Sequence, residues 1–329
     1  MVIVNSFSDR MLRAIDEKES YVIVGLDPNV DFIPEHLKRR YLDKYGDSFE
    51  AVGAAFLEFD KRLIDALHPL LSAAKLNIAF YECYQGPGIR AFAEAILYAR
   101  SKGLQVLEDG KRDEVEETAK KYSEGHLGRV KLLSGERVPS YDLDCLTVNS
   151  YLMTDSIGQF RNDVIAHKKG IQVLDKTSNP SATELQDEKL QSGLKVCEHV
   201  AKYIDKWGEG TEGEEGWKSV GAVVGLTYAS VDGPSLRGFM PRSLWLSPGI
   251  GLKQKKQQGG KPEDVPFLLG NDGRGAFVNS SRGIIAAWKE PEYFDKYGDE
   301  KFEFAARDAA IDMDERINDA VVKAHKSRW

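Results

Sequence analysis

Asp109, Lys111 and Glu114 close an apolar run at two- and three-residue spacing, in the stretch Val106-Leu107-Glu108-Asp109-Gly110-Lys111-Arg112-Asp113-Glu114-Val115-Glu116-Glu117-Thr118. A lysine set between carboxylates suits proton donation, because neighbouring negative charge favours its ammonium form and keeps a proton at hand. Residues two apart on a strand share a face, so Asp109 and Lys111 project together if the strand reaches them. Glu114 and Thr118 lie one turn apart if a helix follows. Taken alone, such a run reads better as a solvated charged loop, since 29% of the residues are charged. Other polar residues at the ends of apolar runs weigh against that alternative: Asp27, Lys75, Asn77, Asn149, Ser178 and Arg282.

Something must bring these residues together. Apolar runs, several rich in β-branched residues, recur at 21–26, 73–79, 104–108, 143–148, 171–174, 220–226, 243–247 and 276–279 with helix-like stretches between them. Eight buried strands alternating with helices predict an α/β fold of the TIM (β/α)8 barrel type, with a doubly wound open sheet as runner-up. In a barrel, catalytic residues gather at the C-terminal strand ends, which is where the polar residues above fall. Helical period runs through Phe56, Phe59, Leu63, Ile64 and Leu67, and again through Ile311, Ile317, Ala320 and Val321, as core-facing stripes. Residues 29–49, 208–216 and 253–261 read as insertions, and 291–329 as C-terminal helices without assigned chemistry. With no repeat and no linker evident, the 329 residues are expected to form one domain, 1–329.

Composition excludes several classes of partner. Forty-five basic against 52 acidic residues leave a net charge of −7, which argues against a general nucleic-acid or membrane surface while leaving room for a local phosphate pocket. Three scattered cysteines in no metal-ligand spacing fit a reducing compartment. No leader and no apolar segment of about 18 residues is evident, so a cytoplasmic protein is expected.

Taken in order from about residue 21 to 285, the chain resembles the orotidine 5′-monophosphate decarboxylases, in the longer branch found in many bacteria and in malaria parasites. The carriers are Val24-Gly25-Leu26-Asp27-Pro28, Lys75-x-Asn77-x-Ala79-Phe80, Asp109-x-Lys111, Thr147-Val148-Asn149, Lys176-Thr177-Ser178-Asn179-Pro180, Gly221-Ala222-Val223-Val224-Gly225, Pro248-Gly249-Ile250-Gly251 and Asn279-x-x-Arg282-Gly283. The resemblance implies a homodimeric barrel that removes carbon dioxide from a nucleotide with no metal and no cofactor. It implies that Lys111, Asp109 and Glu114 are catalytic, with Lys111 protonating the carbanion left at C6. Asp27, Lys75, Asn77, Thr118, Ser178, Gln254 and Arg282 would bind substrate, Arg282 at the phosphate, Ser178 at the pyrimidine edge, Asp27 and Lys75 at the ribose hydroxyls. The 253–261 stretch would be a lid over the phosphate.

Two departures from the family pattern stand out. Glu114 occupies the position of a second aspartate that in relatives crosses to the partner's site, with Asp113 adjacent but out of register; Glu116 and Glu117 replace small residues. Their excess negative charge would oppose binding of a dianionic phosphate. The lid glutamine is offset too, for the family register falls on Lys253 and Gln254 follows it by one. Two alternatives to the decarboxylase accordingly stay open: a magnesium-dependent sugar-phosphate lyase of the same suprafamily, and a non-catalytic protein that binds uridine 5′-monophosphate.

Overall fold

The computed structural model of the protein describes residues 5–250 and 259–329. Eight strands form the frame: β1 Val22–Leu26, β2 Ala73–Leu76, β3 Gln105–Arg112, β4 Cys145–Val148, β5 Gly170–Lys176, β6 Lys218–Val224, β7 Ser243–Pro248 and β8 Ala276–Ser280. Each pairs in parallel with its successor, and β8 pairs back to β1, so the sheet closes into the expected barrel. Every residue of β1, β2, β4, β6 and β8 is buried, because helices cover the outside and side chains fill the inside; that double burial is why these strands stand out as continuous apolar runs.

The predicted helical stripes behave as core faces. Phe56, Phe59, Leu63, Ile64 and Leu67 are all fully buried on the helix Phe49–Leu67, whose Ser48 side chain caps its start by accepting from the Ala51 amide at 3.2 Å. On the C-terminal helix Phe302–Lys323, Ile317, Ala320 and Val321 are buried and Ile311 is half-buried. The two helices meet through the Phe59 and Phe302 rings, stacked at 4.9 Å, beside an Arg62–Glu303 ion pair of 2.8 Å.

The bottom of the barrel is closed by the first helix, Phe7–Lys18. Ser8 donates to the carbonyl of Trp217 at 2.7 Å, and Arg10 pairs with Asp144 at 2.9 Å. The 208–216 insertion completes this floor, where the Glu214 amide donates to Asp9 at 3.1 Å. The 29–49 insertion instead rises at the opposite end as a short turn, Val30–Phe32, and a helix, Glu35–Tyr45. It leans on the segment after β8, with the Trp288 indole donating to the Phe32 carbonyl at 3.1 Å. A hairpin of two-residue strands, Val130–Lys131 and Arg137–Val138, carries no hydrophobic alternation by which the sequence would announce it. No described helix is long and apolar enough to cross a membrane.

Candidate active site

Strand β3 departs most from expectation, and the departure builds the site. The apolar run ends at Glu108, yet the strand continues through charged residues to Arg112, with an irregular register against β4 between those two positions. Lys111 adopts a left-handed backbone, φ 45°, a conformation that costs a non-glycine residue about 1–2 kcal/mol. Its amide is held there by donating to the Thr147 hydroxyl of β4 at 3.0 Å, and the same hydroxyl donates onward to Asp109 at 3.1 Å. The local bulge re-aims the strand end toward the barrel mouth.

Three charges result in contact. Lys75, on β2 with only 4% of its side chain exposed, pairs with Asp109 Oδ2 at 2.8 Å, and Lys111 pairs with Asp109 Oδ1. Burial alone would raise the Asp109 pKa, but the two ammonium groups outweigh it and hold the carboxyl far below the ordinary carboxylate range. Burial likewise disfavours the Lys75 charge; Asp109 and Asp27 overcome it and raise the pKa above the usual lysine value. Lys111 differs from Lys75 in reach, since half of its side-chain surface is open to the cavity. Asp27 keeps a buried carboxylate oxygen, Oδ1, with no protein hydrogen-bond partner.

Behind β3, the fully buried Glu108 points outward to His126 Nδ1 at 2.6 Å and to Arg112 Nη2 at 3.8 Å, while Arg112 lies 5.1 Å from the centroid of the Tyr122 ring. The strand end is thus clamped from its rear as Thr147 holds it in front.

All of this opens into one cavity of about 1160 Å³. Its walls bring together Asp27, Lys75, Asn77, Asp109, Lys111, Ser178 and Arg282 from five different strand ends. Phe32, Thr147 and Asn279 also line it and were not singled out as site residues. Thr147 could have been found from its place on the strand next to β3. Phe32 could not, because nothing in a polar insertion marks which aromatic will turn inward. Arg282, exposed just past β8, has its guanidinium 5.9 Å from the Phe32 ring centroid.

Glu114 and Thr118 do not line the cavity of their own chain. The helix starts at Glu116 rather than Glu114, so Glu114 sits in the connection, accepting from the Val115 amide at 2.9 Å, and Thr118 is exposed in the first turn. Glu116 and Glu117 are also outside the cavity wall, and Glu117 faces Lys121 at 3.6 Å and Lys120 at 3.9 Å along its own helix. Gln254 and most of the expected lid lie outside the described residues.

Comparison with known proteins gives a consistent result. Residues 20–296 match the model of the family described as orotidine 5′-phosphate decarboxylase / HUMPS. The orotidine 5′-phosphate decarboxylase of Caldicellulosiruptor saccharolyticus is 34% identical over 316 residues, 96% of this chain and 99% of that one. That of Rhodopirellula baltica is 35% identical over 312 residues, 95% and 99% of the two chains. Among solved structures, the Leishmania donovani OMP decarboxylase superposes with a TM-score of 0.70 at 25% identity, over 96% of this chain and 98% of its own. The Plasmodium berghei orotidine 5′-monophosphate decarboxylase shares the fold, with a TM-score of 0.70 at 19% identity over 94% and 99% of the chains.

Proposed function

The chain belongs to the orotidine 5′-phosphate decarboxylase / HUMPS family, and from that premise we infer that it converts orotidine 5′-monophosphate to uridine 5′-monophosphate and carbon dioxide, a step of pyrimidine biosynthesis. The observation that carries the reading is the Lys75–Asp109–Lys111 ion chain at the mouth of the barrel.

The chemistry needs such a chain. Breaking the bond from C6 to the carboxylate leaves its electron pair in the plane of the pyrimidine ring, where the π-system cannot take it up. Fixed positive charge must stabilise it, and Lys111 supplies that charge together with the proton that ends on C6. Asp109, kept ionised by its two lysines, holds Lys111 in place, and its own charge faces the departing carboxylate. Barrier reductions of roughly 20 kcal/mol lie near the upper end of ordinary enzyme catalysis, and a proton donor supplies only about 10²–10⁴-fold in rate. Binding energy from the rest of the nucleotide must contribute the balance. In this reading Arg282 grips the phosphate with its guanidinium fork, Asp27, Lys75 and Asn77 hold the ribose side, and Ser178 reads the base. Gln254 is the proposed lid contact.

We read residues 1–329 as one catalytic unit that works as a cytoplasmic homodimer. Glu114 and Thr118, absent from their own cavity wall, are then the residues to look for at the partner's site. Light scattering of the eluted protein at twice 36.7 kDa would support that assembly, and a monomer would remove it.

The test of the reaction is loss of orotidine 5′-monophosphate absorbance with pure protein, with and without chelator. Turnover should survive the chelator and fall by at least about 10³-fold in Lys111→Ala, while uridine 5′-monophosphate still binds. Turnover that vanishes with chelator would point instead to the magnesium-dependent lyase. Tight binding with no turnover would point to the non-catalytic alternative.

A further inference from the structure

Lys176 opens the motif Lys176-Thr177-Ser178-Asn179-Pro180, yet it has no place in the reaction described above. Its side chain is wholly buried at the end of β5 and is not part of the cavity wall. Its ammonium stands 2.7 Å from Asp187 Oδ2 and 3.7 Å from Asp232 Oδ2. Lys195 closes the figure from the far side, 3.0 Å from Asp187 Oδ1 and 2.8 Å from Asp232 Oδ1. Two cations and two anions thus alternate around a square. Asp187 lies in the loop after Ser178, Lys195 at the start of the helix Val196–Trp207, and Asp232 in the first turn of the helix Ala229–Phe239.

The square ties a loop, rather than only two helices, to the barrel. The segment it encloses is braced along its length. The Thr177 amide donates to Gln186 Oε1 at 2.9 Å, and Gln186 Nε2 donates back to the Thr177 hydroxyl at 2.8 Å. The Tyr228 ring lies 4.6 Å from the Lys176 ammonium and its hydroxyl donates to the Asn179 carbonyl at 3.4 Å. Gly225 packs so closely that a β-carbon there would come within 2.7 Å of the Ser178 amide nitrogen. Asp175, the next residue back, has both carboxylate oxygens buried without a partner; burial pushes its pKa well up, against the weaker pull of Lys176.

Buried ion pairs contribute little net stability compared with apolar packing of the same volume, and their best-attested use is to fix one geometry among several. We propose that Lys176, Asp187, Lys195 and Asp232 form a positioning array for Ser178, fixing where its hydroxyl meets the pyrimidine edge of the bound nucleotide. None of the four touches substrate; each acts through the loop that carries Ser178. The proposal rests on the reading of the site as a pyrimidine nucleotide site.

The test compares two ligands that differ by the base. Uridine 5′-monophosphate and ribose 5-phosphate are titrated into wild type, Asp187→Asn, Lys195→Met, Ser178→Ala and the double variant Asp187→Asn/Ser178→Ala. The Asp187 and Lys195 side chains are only partly buried, so each replacement should leave a folded protein, and the second keeps the array testable if the first does not fold. Asp187→Asn should weaken uridine 5′-monophosphate about tenfold, equivalent to about 1.4 kcal/mol, and leave ribose 5-phosphate within twofold. In the Ser178→Ala background the same change should cost less than twofold, and Asp187→Glu should recover part of the loss. Equal weakening of both ligands, unchanged affinity for uridine 5′-monophosphate, or a loss that persists without Ser178 would each overturn the array. Wild-type turnover is read separately: its absence removes the decarboxylase reading, whereas the binding cycle still decides the array.

Discussion

The two lysines on the site's central carboxylate differ in burial, and burial separates their tasks. Lys75, almost sealed, is a fixed charge beside Asp109; Lys111, half open, is the one that in the proposed reaction passes a proton to the ligand. Arg282 is separated from both, at the rim after β8, where a bidentate donor for an anion would be exposed until a ligand covers it. Arg282→Ala should therefore raise KM for orotidine 5′-monophosphate by about 10- to 10²-fold, in line with the 1.5–3 kcal/mol typical of hydrogen bonds to charged groups, with thermal stability unchanged. A KM within threefold of wild type would remove Arg282 from the phosphate. At this scale the sequence was informative, because a lysine or an arginine at a strand end has few reasons to be there. It carried Thr147 in a motif without a part to play and gave no sign of Phe32, whose parts depend on which neighbour they face, and the acidic Glu116 and Glu117 lie outside the cavity wall of their own chain.

Among the elements, the eight strands were legible since double burial forces continuous apolar runs, and the long helices because one face must meet the barrel. Strand β3 was only partly legible: its last four residues are held by Thr147, Glu108 and Arg112 contacts and show no hydrophobic pattern. The C-terminal helix Phe302–Lys323 could be read as a helix, but not where it docks. Its Phe302 is fully buried against Phe59, away from the cavity. Phe302→Ala should destabilise the protein by about 3–5 kcal/mol in urea unfolding, with kcat below the transition within twofold of wild type. A stable variant with impaired turnover would instead tie this helix to the chemistry.

The whole molecule's response to pH should carry the mark of Asp60. This residue is wholly buried on the helix Phe49–Leu67; burial raises its pKa to about 8, and the Tyr81 hydroxyl, donating at 2.7 Å, only partly opposes the shift. The unfolded chain would lose this proton near the ordinary value of 3.8 and the folded one near 8, so over that window the folded state holds more protons. Stability from this group is complete below the lower value and is lost as pH rises, by up to about 1.4 kcal/mol per pH unit. Asp60→Asn should flatten that decline and raise the melting temperature most at pH 8. An unchanged pH profile would show that Asp60 titrates normally. The cysteines do not complicate such measurements by pairing: Cys145 and Cys197 are buried, with thiol pKa values pushed up by burial, and only Cys83 is exposed.

The helix Phe7–Lys18 is the first described element of the chain, yet its contacts are with residues made much later: Ser8 bonds to Trp217 and Ser219, and Arg10 to Asp144. A chain emerging from the ribosome carries this amphipathic segment without its complete docking surface until β5, whose Gly170 packs against Phe7, and then β6 have been synthesised. Barrel closure waits longer still, for β1 needs β8. At about 5–20 residues per second, part of the segment's apolar face stays uncovered for some ten seconds or more, long enough to make it a natural place for a chaperone to hold the nascent protein.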